Sequence, residues 1–150
     1  MTSLAHATLV MERTYNATPA RVFAAWESVE ARQRWSAPAD DIEISYEEAD
    51  FREGGRDVVR CIEKTNADFV ATVHYLDIRR DQRLVFSEAV AHGGANVSAA
   101  LICVEFAPAG AATKLTLTLH IAGLDGSGME NNYQFGWSAA LDNLAKEFAQ

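Results

Sequence analysis

Residues 129–148 constrain the fold more than any other stretch of this sequence. Met129, Tyr133, Gly136, Trp137, Ala140, Leu141, Leu144, Ala145 and Phe148 recur at helical spacing. They predict one continuous apolar stripe on a helix of about five turns. The opposite face carries Glu130, Asn131, Gln134, Asp142, Asn143 and Lys146. Such a stripe needs an apolar surface to lie against. What precedes it must supply a sheet.

The preceding residues do read as strands. Residues 7–15 are rich in β-branched and large apolar side chains, which predicts a first strand. Thr18-Pro19 then opens a helix over 19–27, with Thr18 as N-cap and proline at the first helical position. Ser28 caps a second short helix without a capping box, since Ala31 stands where Glu or Gln would. Trp35 and Pro38 close that segment. Further strands are expected over 42–49, 56–64, 68–79, 83–90, 96–107 and 113–121. Short connectors at Thr65-Asn66, Asp81-Gln82, His92-Gly93-Gly94 and Pro108-Ala109-Gly110 make the last of these an antiparallel meander. Gly54-Gly55 is a further turn signal. The acidic run Asp40, Asp41, Glu43, Glu47, Glu48 and Asp50 suits a solvated edge strand, with a cation-binding patch as the alternative.

Charge and composition narrow the classes. At 150 residues the chain is expected to be one domain, 1–150, with enough core to fold without metal or disulfide. A net charge of −8 disfavours binding to nucleic acid or to an anionic membrane surface. The longest uncharged apolar run, Val97 to Val104, is far short of a bilayer span. Glu12 and Arg13 interrupt the only candidate signal core. Cys61 and Cys103 read as buried free thiols, so a reducing, cytoplasmic setting is expected.

Several motifs then carry a family resemblance. Arg13-Thr14-Tyr15-Asn16-Ala17-Thr18-Pro19, Val22-Phe23-Ala24-Ala25-Trp26 and Trp35 resemble the opening of the activator-of-heat-shock-ATPase-like branch of the helix-grip (START-like, Bet v 1-like) superfamily. Phe51-Arg52-Glu53-Gly54-Gly55-Arg56 resembles its glycine turn. Thr113-Lys114-Leu115-Thr116-Leu117-Thr118 and Gly136-Trp137 with Leu141 and Leu144 resemble its last strand and helix. The resemblance spans essentially the whole chain. It implies an α+β helix-grip fold, β-α-α-β6-α, with a curved seven-stranded antiparallel sheet wrapped around the C-terminal helix and a cavity between them. Its members include ligand carriers, polyketide cyclase-like proteins and co-chaperone domains, so fold alone does not fix function.

Register suggests which residues face that cavity. Pairing Val104 with Leu115 puts Ile102 beside Leu117 and Ala100 beside Leu119, with Ser98 on the same face. The preceding hairpin then turns Leu84, Phe86 and Glu88 inward, with Glu88 across from Ser98. A one-residue slip would reverse these faces. An inward Glu88 would be hydrogen-bonded, neutral or solvated, and could orient a ligand or move a proton. Tyr75 joins it on the more aromatic face of its strand, although the other face is nearly as apolar. Trp26, Trp35, Tyr133, Trp137 and Leu141 complete the candidate ligand-binding set, with ordinary core packing as the competing reading for the aromatic residues. Arg13 either pairs with an inner carboxylate such as Glu88 or lies exposed.

No metal site is expected, because His6, His74, His92 and His120 lack ligand spacing. No cofactor is expected either. Gly126-Ser127-Gly128 lacks the lysine of a phosphate loop and reads as a helix entry capped by Ser127. Three functions follow: binding a hydrophobic or aromatic small molecule, a cyclase-like or hydrolytic activity using pocket acids and bases, and co-chaperone-like stimulation of an ATPase. A homodimer through an edge strand or the exposed helix face is compatible with the sequence, but no feature demands one.

Overall fold

The computed structural model describes residues 4–64 and 67–149. The connector predicted at Thr65-Asn66 lies outside the described residues. Seven strands are present: β1 (Ala5–Tyr15), β2 (Glu43–Glu48), β3 (Arg56–Ile62), β4 (Phe69–Arg79), β5 (Arg83–His92), β6 (Ala95–Ala109) and β7 (Ala112–Gly123). They form one antiparallel sheet in the order β1-β7-β6-β5-β4-β3-β2. β1 and β2 are therefore opposite edges, and the two helices between them in sequence must cross the concave face. Three register breaks, at Tyr46/Glu48, Tyr75/Asp77 and Val90/Ala91, bend the sheet.

α1 (Pro19–Glu27) and α2 (Val29–Trp35) begin as the capping chemistry predicts. Thr18 Oγ1 accepts from the Arg21 N–H at 3.3 Å, and Ser28 Oγ from that of Ala31 at 3.2 Å. α1 buries Val22, Phe23, Ala25 and Trp26 against β6 and β7. Buried Thr113 on β7 donates to the Ala17 carbonyl at 2.7 Å, which anchors the entry to α1. Trp35 donates its indole N–H to the Ala25 carbonyl at 3.0 Å and locks α2 onto α1.

The C-terminal stripe is real, but the helix is not continuous. A 3₁₀ turn (Met129–Asn131) leads into α3 (Tyr133–Leu144), and a second 3₁₀ turn (Ala145–Phe148) ends it. The tightened last turn sets Phe148 edge-on to Tyr15, with centroids 5.7 Å apart, and leaves Ala145 exposed. Ser127 does not cap this entry: its side chain makes no cap bond, and Gly128 takes the position in the left-handed region (φ 83°). Tyr15 on β1 donates to the Leu141 carbonyl of α3 at 2.8 Å. Arg13 binds Asp142 and Ser138 of α3, at 3.2 and 3.1 Å, rather than Glu88.

The inner faces are as predicted, but the pairing is shifted by two. Val104 lies opposite Leu117, Ile102 opposite Leu119 and Ala100 opposite Ile121. The β6–β7 turn is the two residues Gly110-Ala111, centred one position later than the sequence suggests, which moves the register by two and preserves every face. Glu88 likewise faces Ala100, and Ser98 faces Val90. The acidic β2 is an edge strand on which Glu47 pairs with Arg60 at 2.6 Å and Glu48 with Arg56 at 2.7 Å. No helix among the described residues is long and apolar enough to cross a membrane.

Candidate ligand cavity

The concave face has a solid half and a hollow half. Ile102, Val104, Leu115, Leu117, Leu119, Leu141 and Leu144 are fully buried where α1 and α3 cover β1, β7 and β6. Over β2–β5 the same face opens into a cavity of about 460 Å³. Its sheet wall includes Tyr46, Val59, Cys61, Phe69, Ala71, Val73, Tyr75, Phe86 and Val90. Its helical wall includes Trp26, Trp35, Tyr133 and Trp137. The exposed lining residues Ala39, Asn132 and Phe135 mark the mouth, between the α2–β2 loop and the start of α3.

Among the polar groups of this lining, two arrangements differ in kind. The first is closed. Arg32, 6% exposed, pairs with Asp57, 2% exposed, at 3.4 Å. The same guanidinium donates to the Tyr46 hydroxyl at 3.2 Å, to the Trp26 carbonyl, and to the Glu27 carbonyl at 3.2 Å. It also lies over the Tyr46 and Phe51 rings, 5.1 and 5.7 Å from their centroids. Asp57 accepts from the Tyr75 hydroxyl at 2.5 Å and the Asp50 N–H at 2.9 Å. Desolvation alone would lower the Arg32 pKa, but Tyr75, Tyr46 and Asp57 outweigh it and the net shift is upward. The Tyr75 hydroxyl is also held protonated, by burial first.

A close backbone approach sets the Tyr75 position. Gly54 donates to the Tyr75 carbonyl, and Gly55 accepts from its N–H, at 2.9 and 3.1 Å. A Cβ on Gly55 would fall 2.1 Å from the Asp50 carbonyl oxygen, so no larger residue fits there. The glycine turn thus aims Tyr75 and Asp57 at each other.

The second polar group is open. Glu88 is half-buried on β5 and contributes to the cavity wall. Burial pushes its carboxyl up to about 7, against a hydrogen bond from Tyr133 that pulls it down. The Tyr133 hydroxyl lies 2.8 Å from the Ser98 hydroxyl, so the three form a chain from β6 through α3 to β5. Burial and Glu88 keep the Tyr133 phenol protonated. Nearby Cys61 is pushed up to about 11, chiefly by burial, and so stays a thiol. Trp26 adds one more unsatisfied group. Its indole Nε1 is buried and has no partner among the described residues. Its ring stacks on Trp137, at 5.9 Å and 12°.

The sequence profile of the Activator of Hsp90 ATPase homolog 1-like protein family matches residues 16–149. The chain belongs to this family. Among solved structures, the Mll3558 protein of Rhizobium loti is 36% identical, with a TM-score of 0.87 over 97% of this chain and 99% of that one. A Rhizobium leguminosarum protein is 31% identical, with a TM-score of 0.88 over 97% and 96%. An AHSA1-like protein of Aeromonas hydrophila shares the fold at 22% identity and a TM-score of 0.71, over 94% and 91%. No curated protein matches the chain significantly.

Within this AHSA1-like fold the candidate residues separate cleanly. Trp26, Trp35, Tyr75, Phe86, Glu88, Tyr133 and Trp137 line the cavity. Ala100, Ile102, Leu117, Leu119 and Leu141 lie outside it, because helices already fill the half of the sheet they face. Ser98 is fully buried and reaches the cavity only through Tyr133. Arg32, Asp57 and Tyr46 also line it and escaped sequence reading. Asp57 gave a signal, since it shares a strand face with Val59 and Cys61. Arg32 gave none. Both cysteines are free thiols, but half-buried rather than buried.

Two stability tests follow from these groups. Replacing Arg32 by Met strands Asp57 and should cost about 3–5 kcal/mol of unfolding free energy, read from a denaturant midpoint. Glu88 carries the opposite sign of pH dependence from an ordinary ion-paired carboxylate. Its folded pKa lies above its unfolded value, so its contribution is full below pH ~4.5 and is lost as pH rises through ~7. Glu88→Gln should therefore be more stable than wild type at pH ~8, by up to about 3 kcal/mol, with the difference shrinking toward pH ~5. Parallel pH profiles for the two proteins would refute the assignment.

Proposed function

We propose that this protein binds a hydrophobic or aromatic small molecule in the cavity between β2–β5 and the helices. The observation that carries the reading is the lining: aromatic rings on both walls, with Glu88 and the Trp26 indole N–H left for an occupant. A volume of about 460 Å³ lies within the range of about 300–1,000 Å³ usual for small-molecule sites. Membership in a family whose fold serves ligand binding supports it. Stimulation of an ATPase rests on the family's name alone.

Native mass spectrometry of the purified protein, compared with its denatured mass, tests the proposal. The expected result is an adduct of a few hundred daltons, lost on denaturation. Trp137 is only half-buried, so Trp137→Ala should weaken retention of that occupant about tenfold or more while changing the melting temperature little. Equal loss of binding and fold would refute this role for Trp137.

A second reading, proton-transfer catalysis of the cyclase-like or hydrolytic kind, is favoured by the Glu88 carboxyl near pH 7 beside the Tyr133 hydroxyl. On this reading Glu88→Gln abolishes turnover of the bound molecule while its affinity persists. An unchanged rate refutes it.

A further inference from the structure

The charged groups on the cavity wall point to one chemistry of occupant. Among the described residues, the lining carries three carboxylates, Asp57, Glu63 and Glu88, against the single guanidinium of Arg32. Arg32 is spent: Asp57, the Tyr46 hydroxyl and the carbonyls of Trp26 and Glu27 take its N–H groups. Asp57 is spent on Arg32, the Tyr75 hydroxyl and the Asp50 N–H. Glu88 is different. Its protein environment consists of burial and one hydrogen bond from Tyr133, and no cation contributes to it. The groups that face it from neighbouring elements are Tyr133 on α3, Ser98 on β6 through Tyr133, and the Cys61 thiol on β3; Val73 and Ala100 flank it on β4 and β6.

A desolvated carboxylate without a cation is costly when ionised, and an occupant that brings the cation offsets that cost. The surrounding rings of Trp26, Tyr133 and Trp137 suit the same charge, because aromatic faces attract cations. An anionic head group would meet Glu88 and find no free guanidinium among the described lining residues. Trp26 Nε1 asks in addition for an acceptor, such as an ether, hydroxyl or carbonyl oxygen.

We propose that the cavity takes a hydrophobic amine, its protonated nitrogen against Glu88, its apolar body along the Trp26 and Trp137 rings, and an acceptor atom against Trp26 Nε1. This rests on the reading of the cavity as a small-molecule site and narrows it to a class. Fatty acids and aromatic carboxylates are excluded as occupants, although the apolar wall alone would admit them.

A matched series separates this inference from the broader one. Naphthylethylamine, naphthylethanol and naphthylacetic acid share a body and differ in head group. Calorimetric titration at pH ~8 should show the amine binding at least about tenfold tighter than the acid, and tighter than the alcohol. Amine affinity should fall at least about tenfold between pH ~8 and pH ~5.5, as Glu88 protonates. Near pH ~6, amine binding should release about one proton, read from buffers of different ionisation enthalpy. In Glu88→Gln the preference for amine over alcohol should disappear, and the wild-type proton count gives the same answer without any variant. Alcohol or acid binding as tightly as the amine overturns the inference and leaves a small-molecule site standing. Survival of the amine preference in Glu88→Gln overturns it too. If no probe binds, this inference falls, and the native mass of the protein judges the broader reading separately.

Discussion

One buried guanidinium holds the hollow half of the sheet open. Arg32 stands on α2, yet it bonds to carbonyls at the end of α1, to Tyr46 on β2 and to Asp57 on β3. These are the two short helices and the strands at the far edge of the sheet. Hydrophobic burial alone would draw them together, because it is non-directional and rewards any loss of exposed apolar surface. A hydrogen-bonded fork has fixed reach and fixed angles, so it sets the separation of the elements it joins. Tyr75, aimed by the Gly54-Gly55 turn, braces the other side of Asp57. The cavity is thus bounded by directional bonds at its base and by rings along its walls.

A simple mismatch explains why there is space to hold open. Seven strands about 4.8 Å apart make a sheet roughly 29 Å wide. α3 has 12 residues and spans roughly 18 Å. It cannot cover the whole concave face, and Tyr15 and Arg13 bind it toward the β1 edge. The half it covers, with α1, packs solid. The half left to α2 and the α2–β2 loop does not. Breaking the C-terminal segment into a helix flanked by 3₁₀ turns sharpens this division, since it shortens the rigid part of the stripe.

This mismatch also marks how far the sequence could be read. Element order, the caps at Thr18 and Ser28, and the inner faces of β5, β6 and β7 were legible, because each depends on local spacing. The register error of two in β6–β7 did no harm to the faces, since side chains alternate with a period of two. What local spacing does not carry is whether a face meets a helix or a void. Leu117 and Leu119 look the same in sequence as Val73 and Phe86, and only the reach of α3 separates solid from hollow. Arg32 was invisible for a related reason. A helical arginine reads as a solvated charge unless its buried partner, 25 residues away, is known.

Two of the carboxylates on the cavity wall, Asp57 and Glu88, show how position turns one chemical group to two ends. In the same cross-strand row, Asp57 and Glu88 flank Val73. Asp57 lies at the sheet's end near Arg32, and every lone pair it offers toward the protein is answered by a donor. It serves the architecture. Glu88 lies mid-sheet, where no helix brings a cation within reach, and one phenol hydroxyl is all that answers it. A fold selected for stability alone gains from an apolar residue there, because an underpaired buried carboxylate costs more than it returns. The cavity wall thus carries an underpaired carboxylate and, on Trp26, an indole N–H with no partner among the described residues.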